Sequence, residues 1–111
     1  SLHAPLTAET KHMFGKKEFN TMKPSAIIVN TARGEIIEEH ALVQSLLKGR
    51  IHAAALDVYP EEPLPRDHPL RRYARTHANL ILTPHLGAST REAVRLASDY
   101  CARVITRFFR K

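Results

Sequence analysis

The chain has 111 residues, a formal net charge of +6 and one cysteine. This length allows one small hydrophobic core, and a single cysteine excludes an internal disulfide and a cysteine-based zinc site. The basic residues are scattered outside the C-terminal tail, so the charge predicts neither nucleic-acid nor membrane binding. No apolar run has the length of a membrane span, and the first residues lack the layout of a signal peptide. We therefore expect a soluble, cytoplasmic protein.

Three apolar segments predict β-strands that alternate with helices. We expect the strands near residues 26–32, 53–59 and 79–83, because each run is apolar, rich in strand-forming residues and bounded by polar ones. Helical spacing predicts one helix that ends at Gly49 and a long helix from about Ser89. Strands joined by helical crossovers pair in parallel. The predicted fold class is therefore α/β, with a three-layer parallel sheet.

The remaining segments are expected to be less regular. Residues 7–25 predict one or two short helices, with Thr7 as a possible N-cap. Residues 60–78 contain four of the seven prolines and predict a long loop. Long loops of this kind are usually functional or face a partner. The segment "SLH" at the start has the pattern of the last residues of a strand.

Polar side chains end or follow the predicted strands at the edge where ligands bind in doubly wound sheets. They are Arg33, Asp57, Glu62 and His85. An arginine can hold a carboxylate through two parallel hydrogen bonds, and a histidine can pass a proton to a carbonyl oxygen near neutral pH. Together they suit the reduction of a 2-oxo acid. From the residues alone, ordinary structural roles stay open: Arg33 can neutralise Glu35, and Glu62 can be a solvated loop residue.

Four segments carry a family resemblance, in the order "HAPLTAET", "IIVNTARGEIIEEHAL", "AALDVYPEEPLP" and "NLILTPHLGAST". Together they resemble four successive signatures of the D-isomer-specific 2-hydroxyacid dehydrogenase family. The "GAST" segment is most similar to the branch that acts on phosphoglycerate, glyoxylate and hydroxypyruvate. The resemblance implies that residues 1–111 are the second half of a Rossmann-like NAD(P)-binding domain, with the glycine-loop half and the substrate domain absent.

The resemblance also implies roles for individual residues. Arg33 would bind the substrate carboxylate, and Glu62, which directly precedes a proline, would orient His85. In turn, His85 would donate the proton when hydride reduces a 2-oxo acid. NAD is favoured over NADP, and no metal is expected because the other histidines lack metal-ligand spacing. The implied cofactor contacts are Ala4, Pro5, Thr31, Ala32, Arg33, Asp57, His85, Leu86, Gly87 and Ala88.

Three interpretations follow, because no G-x-G-x-x-G segment is present in this sequence. The first is an oxidoreductase that acts on a small 2-oxo or 2-hydroxy acid in its complete context and is inactive as this chain alone. The second is an assembly module comparable to the NAD-dependent corepressors that resemble this family, and the third is an inactive truncated module. A half sheet also exposes a strand edge, which predicts a homo-oligomer, in particular a homodimer.

Overall fold

The centre of the structure, a computed structural model that describes residues 1–110, is a parallel sheet. Its strands are β1 (Ile27–Asn30), β2 (Ala53–Leu56) and β3 (Leu80–Leu82), in the order β1-β2-β3. Each lies inside the residues predicted for it, so the predicted α/β class with parallel pairing is confirmed. On the other side of β1, Leu2 forms a parallel bridge with Asn30. The N-terminal residues therefore extend the sheet as the sequence predicts.

Helices flank the strands of the sheet. They are α1 (Lys16–Thr21), α2 (Glu39–Leu47), α3 (Pro69–Ala74) and α4 (Arg91–Phe109). Helices α2 and α3 connect successive strands, while α1 precedes β1 and α4 follows β3. A single 3₁₀ turn, Gly34–Ile36, lies between β1 and α2. Contacts link α1 with α2, α2 with α3, and α3 with β3. These three helices and the sheet enclose the core.

Helix α2 ends where the sequence predicts. Gly49 has a φ of 61°, and its N–H donates to the carbonyl of Leu46, while the N–H of Arg50 donates to the carbonyl of Ser45. This pair of bonds is the Schellman arrangement, which glycine permits because it has no Cβ. The chain can therefore turn directly from α2 toward β2.

The loop predicted over residues 60–78 is partly wrong, because it contains α3. This helix starts on a proline, and the ring Nδ1 of His68 accepts the N–H of Leu70 at 3.4 Å. A histidine is an uncommon N-cap, so the start signal is weak in the sequence. The helix is held instead by Leu70 and Tyr73, which are buried in the core.

The region before β1 has one helix, and Thr7 is not its N-cap. Helix α1 starts after Gly15, whose N–H donates to the Glu18 carboxylate at 3.1 Å. The hydroxyl of Thr7 instead accepts the N–H of Thr10 at 3.2 Å and closes a separate turn.

The core lies on one face of the sheet. Its fully enclosed side chains include Phe19, Ile36, Leu42 and Leu70. On the opposite face Ile81 is 61% exposed, so the described residues leave that face open. Within residues 1–110, no helix combines the length and the apolar composition that a membrane span requires.

Candidate active site at the carboxyl edge of the sheet

The central contact of the site joins His85 to Glu62. Nδ1 of His85 lies 2.7 Å from Oε2 of Glu62, and the second carboxylate oxygen, Oε1, accepts the N–H of Tyr59 at 3.0 Å. The hydrogen bond from His85, followed by the one from Tyr59, lowers the pKa of Glu62 despite the opposing effect of burial. Because the carboxylate is ionised, Nδ1 is the protonated nitrogen of this contact. Nε2 of His85 is therefore the ring atom that can serve a substrate.

The family resemblance implies this pairing, and in the structure Glu62 contacts His85. The two partners come from different connections: Glu62 follows β2, and His85 follows β3. Their side chains are 36% and 46% exposed, so the pair is accessible from solvent. A partly exposed histidine with a fixed tautomer is suited to proton transfer.

The backbone turn at His85 is held by Asp57. His85 has a φ of 55°, in the left-handed region that non-glycine residues seldom adopt. The Asp57 carboxylate accepts the N–H groups of Leu86 and Gly87, both at 2.8 Å, and the hydroxyl of Thr83. Burial would raise the pKa of Asp57, but these hydrogen bonds and the charge of His85 lower it. The resemblance implies a cofactor contact for Asp57, but the sequence does not predict the hydrogen bonds by which Asp57 fixes this turn.

A buried asparagine shapes the turn that carries Arg33. Asn30 is 1% exposed; its Nδ2 donates to the carbonyl of Arg33 at 2.9 Å, and its Oδ1 accepts the N–H of Ala32 at 3.0 Å. Sequence reasoning did not single out Asn30. The available signal was a polar residue at the end of a buried strand, which is costly unless its amide is hydrogen-bonded.

Two cavities open beside these residues. One, of about 650 Å³, is lined by His3, Ala4, Pro5, Leu6, Thr31, Ala32 and Arg33. It brings together five of the residues predicted to contact the cofactor. The other, of about 750 Å³, is lined by residues that include Tyr59, Glu62, Arg71, Leu82, Thr83 and His85. Ala88 is exposed and lines neither cavity.

The segment of Arg33 adjoins the loop of Glu62. A Cβ added to Gly34 would lie 2.1 Å from the carbonyl carbon of Tyr59 and 2.4 Å from the nitrogen of Pro60. Only glycine allows this approach of two backbones. The exposed guanidinium of Arg33 donates to the carbonyl of Ala32 at 2.6 Å. It lines the first cavity, whereas the Glu62–His85 pair lines the second.

The first cavity combines small side chains with polar groups. Its wall includes small side chains at Ala4, Pro5 and Ala32 beside the larger Leu6, and its polar groups are those of His3, the exposed Thr31 and Arg33. Small residues allow a flat ring or ribose to approach the backbone closely. The glycine-rich turn that normally holds a pyrophosphate is not among these residues.

Comparison with known sequences identifies relatives of the chain. It is 49% identical over 110 residues to a D-3-phosphoglycerate dehydrogenase of Methanocaldococcus jannaschii, a match that covers 99% of this chain and 20% of that protein. It is 51% identical over 88 residues to glyoxylate/hydroxypyruvate reductase B of an Enterobacter species, covering 79% of this chain and 26% of the relative. The chain therefore spans about a fifth to a quarter of the length of these relatives.

Solved structures share the fold. A D-isomer specific 2-hydroxyacid dehydrogenase of Lactobacillus delbrueckii in its NAD complex matches with a TM-score of 0.86 and 29% identity, over 98% of this chain and 36% of that one. An enzyme of the same description from Xanthobacter autotrophicus, solved with NADPH, matches with a TM-score of 0.67 and 37% identity, over 75% and 26% of the two chains.

A family model described as the NAD binding domain of D-isomer specific 2-hydroxyacid dehydrogenases matches residues 1–87. This match covers β1 to β3 together with the turns of Arg33, Asp57, Glu62 and His85. The chain therefore belongs to the NAD-binding-domain family of the D-isomer specific 2-hydroxyacid dehydrogenases.

Proposed function

We propose that this chain forms the second half of the NAD(P)-binding domain of an oxidoreductase that interconverts a 2-oxo acid and a D-2-hydroxy acid. The observation that carries the proposal is the 2.7 Å hydrogen bond between Glu62 and His85 at the carboxyl edge of the sheet. Ligands bind at this edge in open α/β sheets. Membership of the family supplies the reaction class.

In the proposed reaction His85 moves the proton. Reduction of a 2-oxo acid adds a hydride to C2 and a proton to the carbonyl oxygen, and Nε2 of His85 donates that proton. In the reverse direction the same nitrogen accepts the proton of the hydroxyl group. Glu62 fixes the ring tautomer and stabilises the positive charge of the protonated ring. The nicotinamide, when bound, supplies or accepts the hydride.

Arg33 is the proposed substrate anchor. Its guanidinium is exposed and can form two parallel hydrogen bonds with a carboxylate, which a lysine cannot reproduce. Asn30 supports this role because it fixes the backbone on both sides of the turn. The proposed substrates are D-3-phosphoglycerate, glyoxylate or hydroxypyruvate, the compounds for which the relatives are named.

The proposed cofactor is NAD, with NADP as the alternative. Its nicotinamide end would contact the turn of Thr31–Arg33, Asp57 and the backbone of residues 85–88. Ala4 and Pro5 would lie near the adenosine ribose. Support comes from the cavity that Ala4, Pro5 and residues 31–33 share.

A chimaera tests the proposed function. In the phosphoglycerate dehydrogenase relative, the matching segment is replaced by residues 1–110 of this chain, and NADH oxidation is followed with hydroxypyruvate, glyoxylate and phosphohydroxypyruvate. We expect turnover that falls on the order of 10²-fold to 10⁴-fold in His85→Asn, because the proton donor is lost. The matched pair Glu62→Gln and Glu61→Gln should differ, with a loss only in the former.

Binding of NADH to the chimaera, followed by fluorescence, shows whether it is folded. A chimaera that binds NADH and has no turnover would overturn the enzymatic proposal and favour an NAD-dependent assembly module. Near-normal turnover in His85→Asn would overturn the role of His85.

Self-association also remains a proposal. The apolar face of α4 supports it, because Leu96, Tyr100 and Phe108 are 70%, 70% and 73% exposed. Light scattering of the chain at micromolar concentration tests it: a homodimer is expected, and a monomer would overturn it. The cytoplasmic location expected from the sequence stays a prediction.

A further inference from the structure

A second contact between a histidine and a carboxylate lies outside the proposed catalytic site. Glu39 is the first residue of α2, and its Oε2 lies 3.3 Å from Nε2 of His68, the residue that caps α3. We propose that Glu39 and His68 are positioning residues that fix the loop of residues 59–68 and so hold Glu62 against His85. The consequence for catalysis rests on the proposed function.

Both ring nitrogens of His68 take part. Nδ1 accepts the N–H of Leu70, so in the neutral ring the proton is on Nε2, which faces Glu39. Nε2 can therefore donate to the Glu39 carboxylate while Nδ1 caps the helix. One imidazole thus joins the first turn of α3 to the first turn of α2.

The contact between Glu39 and His68 is largely shielded from solvent. The side chains of Glu39 and His68 are only 23% and 18% exposed, and Oε1 of Glu39 is buried with no hydrogen-bond partner among residues 1–110. Burial raises the pKa of Glu39, contact with His68 opposes the rise, and the charge of Glu61 adds to it. Loss of His68 would leave a half-buried carboxylate without its partner, which is strongly unfavourable.

The loop of residues 59–68 is held at both ends, and the contact between Glu39 and His68 holds one of them. At the start of the loop, the backbone of Gly34 packs against Tyr59 and Pro60. At its end, His68 contacts Glu39. Residues 34–39 therefore support both ends of the loop. Glu62 lies between the two anchors, and its own contacts, to the Tyr59 amide and to His85, depend on the path of this loop.

Amide hydrogen exchange in this chain, measured by NMR, tests the proposal without substrate or cofactor. The probe is the Tyr59 amide, which donates to Glu62, and the internal reference is the Ala54 amide, which donates to Asn79 in the sheet. In Glu39→Ala we expect Tyr59 to exchange about tenfold faster or more, with Ala54 changed less than about twofold, because only the loop opens. Glu62→Ala gives the exchange rate of a Tyr59 amide that has lost its side-chain acceptor.

Further variants separate positioning from a general loss of stability. Glu38→Ala is the matched control, because Glu38 makes no side-chain capping bond. His68→Ala should accelerate Tyr59 as Glu39→Ala does, and the double variant should add nothing further. Glu39→Gln should restore slow exchange at Tyr59, since its carboxamide oxygen can accept from His68.

Equal acceleration of Tyr59 and Ala54 would overturn the proposal, as would an unchanged Tyr59. A rise confined to Tyr59 supports it even if the chimaera proves inactive, in which case the proposed function alone fails. If the chimaera is active, Glu39→Ala in it should lower turnover more than it raises the KM, because substrate binding through Arg33 is retained.

Discussion

Asp57 and Gly87 lie 30 residues apart in the chain, and Oδ2 of Asp57 accepts the N–H of Gly87 at 2.8 Å. Oδ1 of the same carboxylate accepts the N–H of Leu86. These two amides directly follow His85, whose left-handed backbone costs about 1–3 kcal/mol and persists only because surrounding contacts offset that cost. Asp57, which directly follows β2, therefore controls the conformation of the turn that comes after β3.

Replacement of Asp57 should destabilise this turn. In Asp57→Asn one carboxylate oxygen becomes an NH₂ group, which cannot accept a backbone N–H. We expect the free energy of unfolding to fall by about 1–3 kcal/mol, because a backbone N–H of the turn loses its hydrogen bond to a charged carboxylate. Urea denaturation measures the change. The exposed Asp67→Asn is the control and should stay within about 0.5 kcal/mol of the parent chain. Equal losses in the two variants would contradict this account.

Gly34→Ala should be more harmful than an alanine at another glycine. Its Cβ would overlap the backbone of Tyr59, so the loop must move, and we expect a loss of about 3 kcal/mol or more in the free energy of unfolding. Gly49→Ala is the comparison: nothing lies within 4 Å of its Cβ, and only the positive φ costs about 1–2 kcal/mol. A smaller loss at Gly34 than at Gly49 would show that the two backbones are further apart.

The contribution of Glu62 to stability should depend on pH in the acid range. Its contact with His85 lowers its pKa in the folded state, so the unfolded chain binds the proton more readily. The stabilisation is therefore complete above the ordinary carboxyl pKa of about 4.3 and is lost as the pH falls below it. Urea denaturation of the parent chain and of Glu62→Gln between about pH 2.5 and 6 measures this. We expect their difference to shrink toward low pH, and a constant difference would refute the assignment.

This chain by itself should bind NADH weakly. Dinucleotide affinity depends largely on a glycine-rich helix start that holds the pyrophosphate, and this sequence has none. Contacts to one end must overcome several kcal/mol of lost rigid-body freedom, so we expect a Kd in the millimolar range or weaker. Isothermal titration calorimetry of the 111-residue chain measures it. Micromolar binding, or turnover with a 2-oxo acid, would show that this chain is sufficient by itself.

The sequence predicts those parts of the fold that depend on local pattern. The apolar runs of β1, β2 and β3 were found because a strand buried in a parallel sheet is almost continuously apolar. Helix α3 was missed because its cap is a histidine, and its burial through Leu70 depends on tertiary packing. Local signals are weak where a short helix is stabilised mainly by the rest of the fold.

The candidate site likewise contains residues that the sequence singles out and residues that it does not. Glu62 and His85 were identified through the family resemblance, since 23 residues separate them and no local period relates such positions. Asn30 and the contact of Glu39 with His68 were missed, because their importance comes from hydrogen bonds that only the folded chain forms. Polar groups that support a site are therefore harder to predict than those with an expected chemical role.

Helix α4 changes how the unfolding of this chain must be measured. It has 19 residues, none of them buried, while the chain extends over 60 Å in its longest dimension. An isolated helix only slightly longer than 12–15 residues is marginally stable in water. In a single copy of the chain its melting is therefore uncoupled from that of the sheet, and the helical circular dichroism signal of the monomer reports a broad, non-cooperative loss beside one cooperative transition. Probes within the sheet, such as the amide of Ala54, are the ones that follow global unfolding.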